Sequence, residues 1–192
     1  MDLPLLLAAT LGAYLAGSIP FGLLVARLTG GPDPRSIGSG RTGGTNALRA
    51  LGRRRAAVVA TSDILKRTLP VLAVHALAAE GAEIWTSAWT VIAALFAVIG
   101  ATRSVWVGFK GGRGIATGFG TALAVAPLAL AAVSPIFIII IWRTRLVSLG
   151  SLVTAALFAP ALFLMSYATT GALDGALIAY GLVGPALVWL AH

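Results

Sequence analysis

The sequence predicts an all-α, polytopic membrane protein of seven transmembrane helices, with the N-terminus outside and the C-terminus in the cytoplasm. Of its 192 residues, 58% are hydrophobic and only 10% are charged, and the mean hydropathy is +0.95. Soluble domains carry about 25% charged residues, so the solvent that suits this chain is a bilayer. The apolar residues gather in segments near 3–28, 56–79, 85–103, 114–127, 129–142, 148–168 and 172–191, to be compared with the roughly 20 residues a crossing helix needs. The basic residues fall in alternate connections, which fixes the orientation. No composition break or internal repeat divides the chain, so residues 1–192 read as one integral-membrane domain.

The first segment lacks a basic start and runs too long for a cleaved leader, so it reads as a span. After it come Arg27, Arg35, Arg41, Arg49 and the run Arg53-Arg54-Arg55. The second segment holds Asp63, Lys66 and Arg67 within it, and is followed by Glu80 and Glu83. Arg103, Lys110 and Arg113 follow the third segment. The stretch 114–142 is long for one span and short for two. Two helices with a turn near Pro127 keep Arg143 and Arg145 on the same side as the other basic residues, and six helices is the alternative. Only Asp174 charges the last outer connection, and only Asp2 the N-terminus. Trp85, Trp89, Trp106, Trp142 and Trp189 lie near span ends, where tryptophan anchors the interface.

Several chemistries are excluded. With no cysteine there is no disulfide, thiolate metal site or cysteine nucleophile. His75 and His192 are far apart and form no cluster with the acids, so no metal is expected. His75 reads as a structural histidine. The net charge of +8 follows from membrane insertion rather than from nucleic-acid binding, for which the chain has no soluble surface.

Two loops carry chemistry. The stretch 30–46 combines glycines with Ser39, Thr42, Thr45 and Asn46 as neutral donors and Arg35, Arg41 and Arg49 as charges. Glycines permit positive φ and leave N–H groups accessible, and successive N–H groups cradle anions. Arginine binds phosphate through a bidentate fork. Gly38, Gly40 and Gly43 spell a formal G-x-G-x-x-G, but a membrane helix precedes it where a dinucleotide fold needs a strand. The second loop, Phe109-Lys110-Gly111-Gly112-Arg113-Gly114 leading through Ile115 and Ala116 to Thr117, runs into a helix N-terminus, a ready anion site. Asp63 and Lys66, spaced i, i+3, are placed to pair in a polar cavity.

These motifs together resemble the bacterial acyl-phosphate:glycerol-3-phosphate acyltransferases, the PlsY family. The resemblance rests on Gly17-Ser18-Ile19-Pro20-Phe21-Gly22, on Arg35, Gly38-Ser39-Gly40, Gly43, Thr45-Asn46 and Arg49, on Asp63-x-x-Lys66, and on 109–117, in that order nearly end to end. Arg41 stands where the family's loop has asparagine, and Arg67 where a glycine follows the Asp-x-x-Lys pair. Gly100-Ala101-Thr102-Arg103-Ser104 replaces a Gly-His-x-x-Pro stretch, and the chain stops at His192, where the family's polar tail begins. The resemblance implies a multi-pass enzyme of the bacterial inner membrane with its active site on the cytoplasmic side. It implies acyl transfer from acyl phosphate to the 1-hydroxyl of glycerol 3-phosphate, giving lysophosphatidic acid, by a monomer in membrane lipid that uses neither metal nor nucleotide cofactor.

On that footing Ser39, Arg49, Lys110 and His192 are the expected catalytic residues. Gly38, Gly40, Arg35, Asn46, Lys66, Gly111, Gly112, Arg113 and Thr117 are expected to bind phosphate, with Asp63 orienting Lys66. No base lies near Ser39 in sequence, so it is expected to donate a hydrogen bond rather than attack. The substrate's phosphate or His192 serves as base. Two other readings fit the residues less well. A transporter of a phosphorylated solute needs polar groups through the full membrane depth, and an inactive homologue would bind phospholipid without turnover.

Overall fold

The computed structural model describes residues 3–78, 88–112 and 115–191. Asp2, Glu80, Glu83 and Trp85 lie outside them. Among the described residues every regular element is helical: α1 (Leu3–Ser18), α2 (Phe21–Leu28), α3 (Gly44–Ala78), α4 (Ala88–Thr102), α5 (Ile115–Val125), α6 (Pro127–Thr144), α7 (Val147–Thr170) and α8 (Gly175–Leu190), with short 3₁₀ turns at Pro34–Ser36 and Val105–Val107.

The apolar segments coincide with helices, and three boundaries differ informatively. The first segment is two helices bent by 52° at Ile19-Pro20. Proline donates no N–H and restricts the residue before it, so the helix cannot run straight through. α3 begins at Gly44, not near 56. Asn46, Arg49 and the exposed Arg53–Arg55 run are therefore helical rather than in a loop, as the Ala-, Leu- and Arg-rich stretch favours. Gly52 breaks α3 with φ 78° and ψ 173°, a backbone that only glycine adopts cheaply. In the 114–142 stretch the break falls at Ala126, and Pro127 opens α6 at the position where its missing N–H costs nothing.

Ala88–Val107, Pro127–Thr144 and Val147–Thr170 are long and apolar enough to cross a bilayer, and α1 with α2 makes a fourth such stretch if the bent pair is counted as one. α8 is apolar but shorter. Leu3, Leu7, Leu11, Ile138, Ile139 and Leu164 are exposed, an apolar outer surface suited to lipid.

Small residues bring the helices together. A Cβ on Gly17 would stand 2.6 Å from the Ala97 carbonyl oxygen, and one on Gly100 would overlap the Tyr14 carbonyl. Ala13, Ala93, Ala94 and Ala97 are fully buried around this α1–α4 contact, the close backbone approach that membrane helices use. At its end Tyr14 Oη donates to the Arg103 carbonyl (3.0 Å) and Ser104 Oγ to the Ser18 carbonyl (2.6 Å). α3 meets α5 where Gly120 lies against Ile64 and Thr68 Oγ1 donates to the Gly120 carbonyl (2.8 Å). His75 Nδ1 shares a 3.2 Å hydrogen bond with Thr90 Oγ1, tying α3 to α4. Trp106, Trp142 and Trp189 are exposed as interface residues should be, whereas Trp89 packs against the core.

Candidate active site

A cavity of about 710 Å³ runs inward from the glycine-rich loop that precedes α3. Its outer part is polar: Ser18, Ser39, Arg41, Asn46, Arg49, Asp63, Lys66, Arg67 and Arg145 all line it. Its inner part is mostly apolar. There α6 contributes Leu130, Val133 and Phe137, α7 contributes Ala155 and Phe158, and α8 contributes Tyr180 and Val188. These positions recur at helical spacing, so each helix presents one face. Phe158 and Tyr180 meet edge-to-face with centroids 5.9 Å apart, and Tyr180 Oη donates to Thr121 Oγ1 at 2.9 Å.

The loop is shaped for close approach. Gly38 (φ 65°) and Gly40 (φ 68°) are left-handed. A Cβ on Gly38 would stand 2.6 Å from Arg49 Nη1 and 2.7 Å from Asn46 Oδ1, so only glycine lets the arginine lie against this backbone. The N–H groups of Gly38, Ser39 and Gly40 donate to no acceptor among the described residues. Asn46, expected to bind phosphate, instead donates its amide to Ser39 Oγ (3.2 Å) and the Arg41 carbonyl (2.9 Å). It is buried and holds the loop in shape. Ser39 is exposed, and no histidine or carboxylate is among its described partners.

Asp63 and Lys66 form the ion pair that their spacing predicts, 2.6 Å apart and buried. Lys66 Nζ also donates to the Ile19 carbonyl at the bend between α1 and α2, and lies 5.4 Å from the centre of the Phe21 ring. Arg67 shares the same carboxylate at 3.7 Å.

Two groups expected to bind phosphate are engaged by other partners. Arg35 does not line the cavity. It forks onto Asp33, with Nη2 to Oδ2 at 2.7 Å and Nε to both oxygens at 3.1 Å, on an exposed turn. That bond holds the Asp33 carboxyl below its usual range and Arg35 above its own. The N–H groups of Gly111 and Gly112 are also already satisfied. They donate to the Thr102 (3.2 Å) and Ala101 (2.9 Å) carbonyls, satisfying the end of α4, where carbonyls otherwise lack partners. A Cβ on Gly111 would overlap the Ala101 carbonyl.

The two loops do come together. Arg41 Nη1 donates to the Gly111 carbonyl (3.4 Å), and a Cβ on Gly112 would stand 3.8 Å from Gly43. Lys110 is exposed on this second loop, just after Phe109 at φ 61°. Lys110, Gly40 and Gly111 are not among the lining residues, while Gly112 is. Arg113, His192 and the side chain of Thr117 lie outside the described residues. Sequence reasoning missed Arg145. It ends α6 in the left-handed conformation (φ 62°) and lines the cavity. Nothing in its local sequence separates it from an insertion charge.

The sequence model described as "Glycerol-3-phosphate acyltransferase" matches residues 7–192. A glycerol-3-phosphate acyltransferase of Methylorubrum extorquens is 38% identical over 189 residues, 98% of this chain and 86% of that one. Glycerol-3-phosphate acyltransferase 1 of Rhizobium johnstonii is 41% identical over 165 residues, 86% of this chain and 77% of that one. The fold is similar to the crystal structure of PlsY (YgiH), an integral membrane glycerol 3-phosphate acyltransferase, in its glycerol 3-phosphate form. The TM-score is 0.86 at 33% identity, over 97% of this chain and 88% of that one. The lysophosphatidic acid form gives 0.82 at 32% identity, over 97% and 87%.

Proposed function

This chain belongs to the glycerol-3-phosphate acyltransferase family, and from that premise we propose how its cavity carries out the transfer. The protein is an integral-membrane acyltransferase of phospholipid synthesis that acylates glycerol 3-phosphate to lysophosphatidic acid. The donor is an acyl phosphate, and the acyl group goes to the 1-hydroxyl. The observation that carries this is one cavity with a cationic, glycine-lined mouth and an apolar interior. Such a chamber suits a phosphate joined to an aliphatic chain.

The backbone at Gly38-Ser39-Gly40, with Arg49, holds one phosphate. Lys66, oriented by Asp63, and Lys110 and Arg113 from the second loop add positive field. The aliphatic chain lies between α6, α7 and α8. The 1-hydroxyl oxygen adds to the acyl carbonyl carbon while the bond from that carbon to the phosphate oxygen breaks. The bond pair leaves with phosphate, and the hydroxyl proton passes to a phosphate oxygen or to His192. Phosphate is a good leaving group, so alignment and charge stabilisation supply the rate. No protein nucleophile is required, and Ser39 serves as a hydrogen-bond donor. The chemistry calls for no metal or nucleotide.

Seven crossings, with the N-terminus outside and the C-terminus inside, are supported by the basic residues of alternate connections and by helices in every apolar segment. On this reading the chain is a single-domain monomer of the bacterial inner membrane, and the cavity opens to the cytoplasm.

The test uses the purified chain in lipid vesicles with labelled glycerol 3-phosphate and either acyl phosphate or acyl-CoA. Labelled lysophosphatidic acid is expected with acyl phosphate alone. Product from acyl-CoA alone would overturn the donor assignment.

A further inference from the structure

Arg67 is a buried cation whose hydrogen bonding is incomplete. It is 4% exposed and lines the cavity from α3. Nη1 donates to the carbonyl of Asp63 one turn back, and Nη2 lies 3.7 Å from Asp63 Oδ1. Nε has no partner among the described residues although it is buried. The Asp63 carboxylate is engaged more closely by Lys66, at 2.6 Å. Among the described lining residues, Asp63 is the single carboxylate facing Arg41, Arg49, Lys66, Arg67 and Arg145. A buried guanidinium with an unmet donor is costly, and an anion that accepts from it removes that cost.

We propose that Arg67 holds the phosphate of the acyl donor where the polar mouth meets the apolar chamber. The inference rests on the acyl-phosphate reading above. Its argument is positional. α3 runs inward from the glycine loop, so Arg67 lies one turn deeper than Asp63. Its Cβ is 3.4 Å from the point where Gly120 would carry one, and the neighbouring Thr68 is bonded to Gly120. Phe119 and Thr121, which flank that glycine, line the cavity too. In an acyl phosphate, the group at the boundary between charge and chain is the phosphate next to the acyl carbonyl. As the hydroxyl oxygen bonds to the carbonyl carbon and the carbon–phosphate-oxygen bond breaks, the electron pair settles on the phosphate. Arg67 stabilises that charge, while the loop at Gly38 and Arg49 keeps the acceptor's phosphate.

The experiment compares the wild-type chain with Arg67→Met, Arg67→Lys and, outside the cavity, Arg143→Met, all in lipid vesicles. Arg67→Met removes the charge and leaves the Asp63–Lys66 pair in place. Its KM for acyl phosphate is expected to rise about tenfold or more, as the loss of a charge-assisted hydrogen bond implies. Inhibition by inorganic phosphate that is competitive with acyl phosphate should weaken by the same factor, while KM for glycerol 3-phosphate stays within about twofold. Arg67→Lys should fall between, because it keeps the charge but loses the fork. Arg143→Met should match wild type.

An unchanged KM for acyl phosphate in Arg67→Met, or a rise confined to glycerol 3-phosphate, overturns the proposal. If Arg67→Met does not fold, Arg67→Lys decides by the same two constants. Thermal protection by inorganic phosphate tests the anion site without turnover: it should be clearly smaller in Arg67→Met than in wild type, the remainder coming from the glycine loop and Arg49. A wild-type chain that such phosphate protects, but that makes no product from acyl phosphate, sinks the donor assignment and leaves the anion site standing. Equal protection of wild type and Arg67→Met sinks the site itself.

Discussion

Single residues at this site answer to one of two demands, charge or space. Arg49 lies against a left-handed glycine and Lys110 stands on the facing loop. Arg49→Ala and Lys110→Ala should each lower kcat/KM about 100-fold, the scale of losing one oriented charge in a preorganised site. Both should keep the wild-type melting curve. Normal turnover by both would remove these side chains from the site. Asp63 is different, since it neutralises two buried cations. Asp63→Asn should cost about 3–5 kcal/mol of unfolding free energy, because a broken buried pair leaves its partner uncompensated. Adding Arg67→Met should recover part of that loss in the same denaturation assay, whereas additive losses would show that the carboxylate and Arg67 are uncoupled. The Asp63–Lys66 pair was legible from spacing alone. Asn46, Gly111 and Gly112 were legible only by type. A glycine N–H or an amide suits phosphate equally well in sequence, and only the fold shows that these groups close a loop and the end of α4.

At the level of elements, hydropathy located the helical segments and the break near Pro127. The bend at Ile19-Pro20 escaped it because a bent and a straight apolar segment have the same hydropathy, and the early start of α3 because a polar helix and a polar loop do. Gly52 is the point where this matters. It lets the 44–51 part of α3 turn Asn46 and Arg49 toward the loop while Asp63, Lys66 and Arg67 face the cavity from the other part. Gly52→Ala forces an alanine into a backbone region that is almost exclusively glycine's, at a cost of about 1–3 kcal/mol, or straightens the helix. It should raise KM for glycerol 3-phosphate several-fold while the protein stays folded, and an unchanged KM would make the break dispensable. The inner face of α7 sets the chamber's length. From Ser148 to Phe158 it spans about 15 Å at 1.5 Å per residue. Ala155→Phe narrows that end, and in a mixed-donor assay the product should shift toward shorter acyl chains. An unaltered product profile would place the chain elsewhere.

Over the whole molecule, charge and orientation are tied together. The chain has no cysteine, so single introduced cysteines report sidedness without background. In sealed, oriented vesicles Ser36→Cys should react with an impermeant reagent only from the cytoplasmic side and Leu173→Cys only from the outer side. The reverse pattern would invert the topology. The same structure bears on how the protein is assembled in the membrane. α3 carries Asp63, Lys66 and Arg67 in its middle, and each ionised group costs about 2.5–3.5 kcal/mol to place at the centre of a lone inserted helix. The Ile19 carbonyl on the α1 side accepts from Lys66, and the Gly120 carbonyl of α5 accepts from Thr68, next to Arg67. α3 is therefore a segment that cannot be left in lipid by itself. On the proposed seven-crossing topology it needs α1 and α2 beside it, and α5, later in the chain, completes the enclosure.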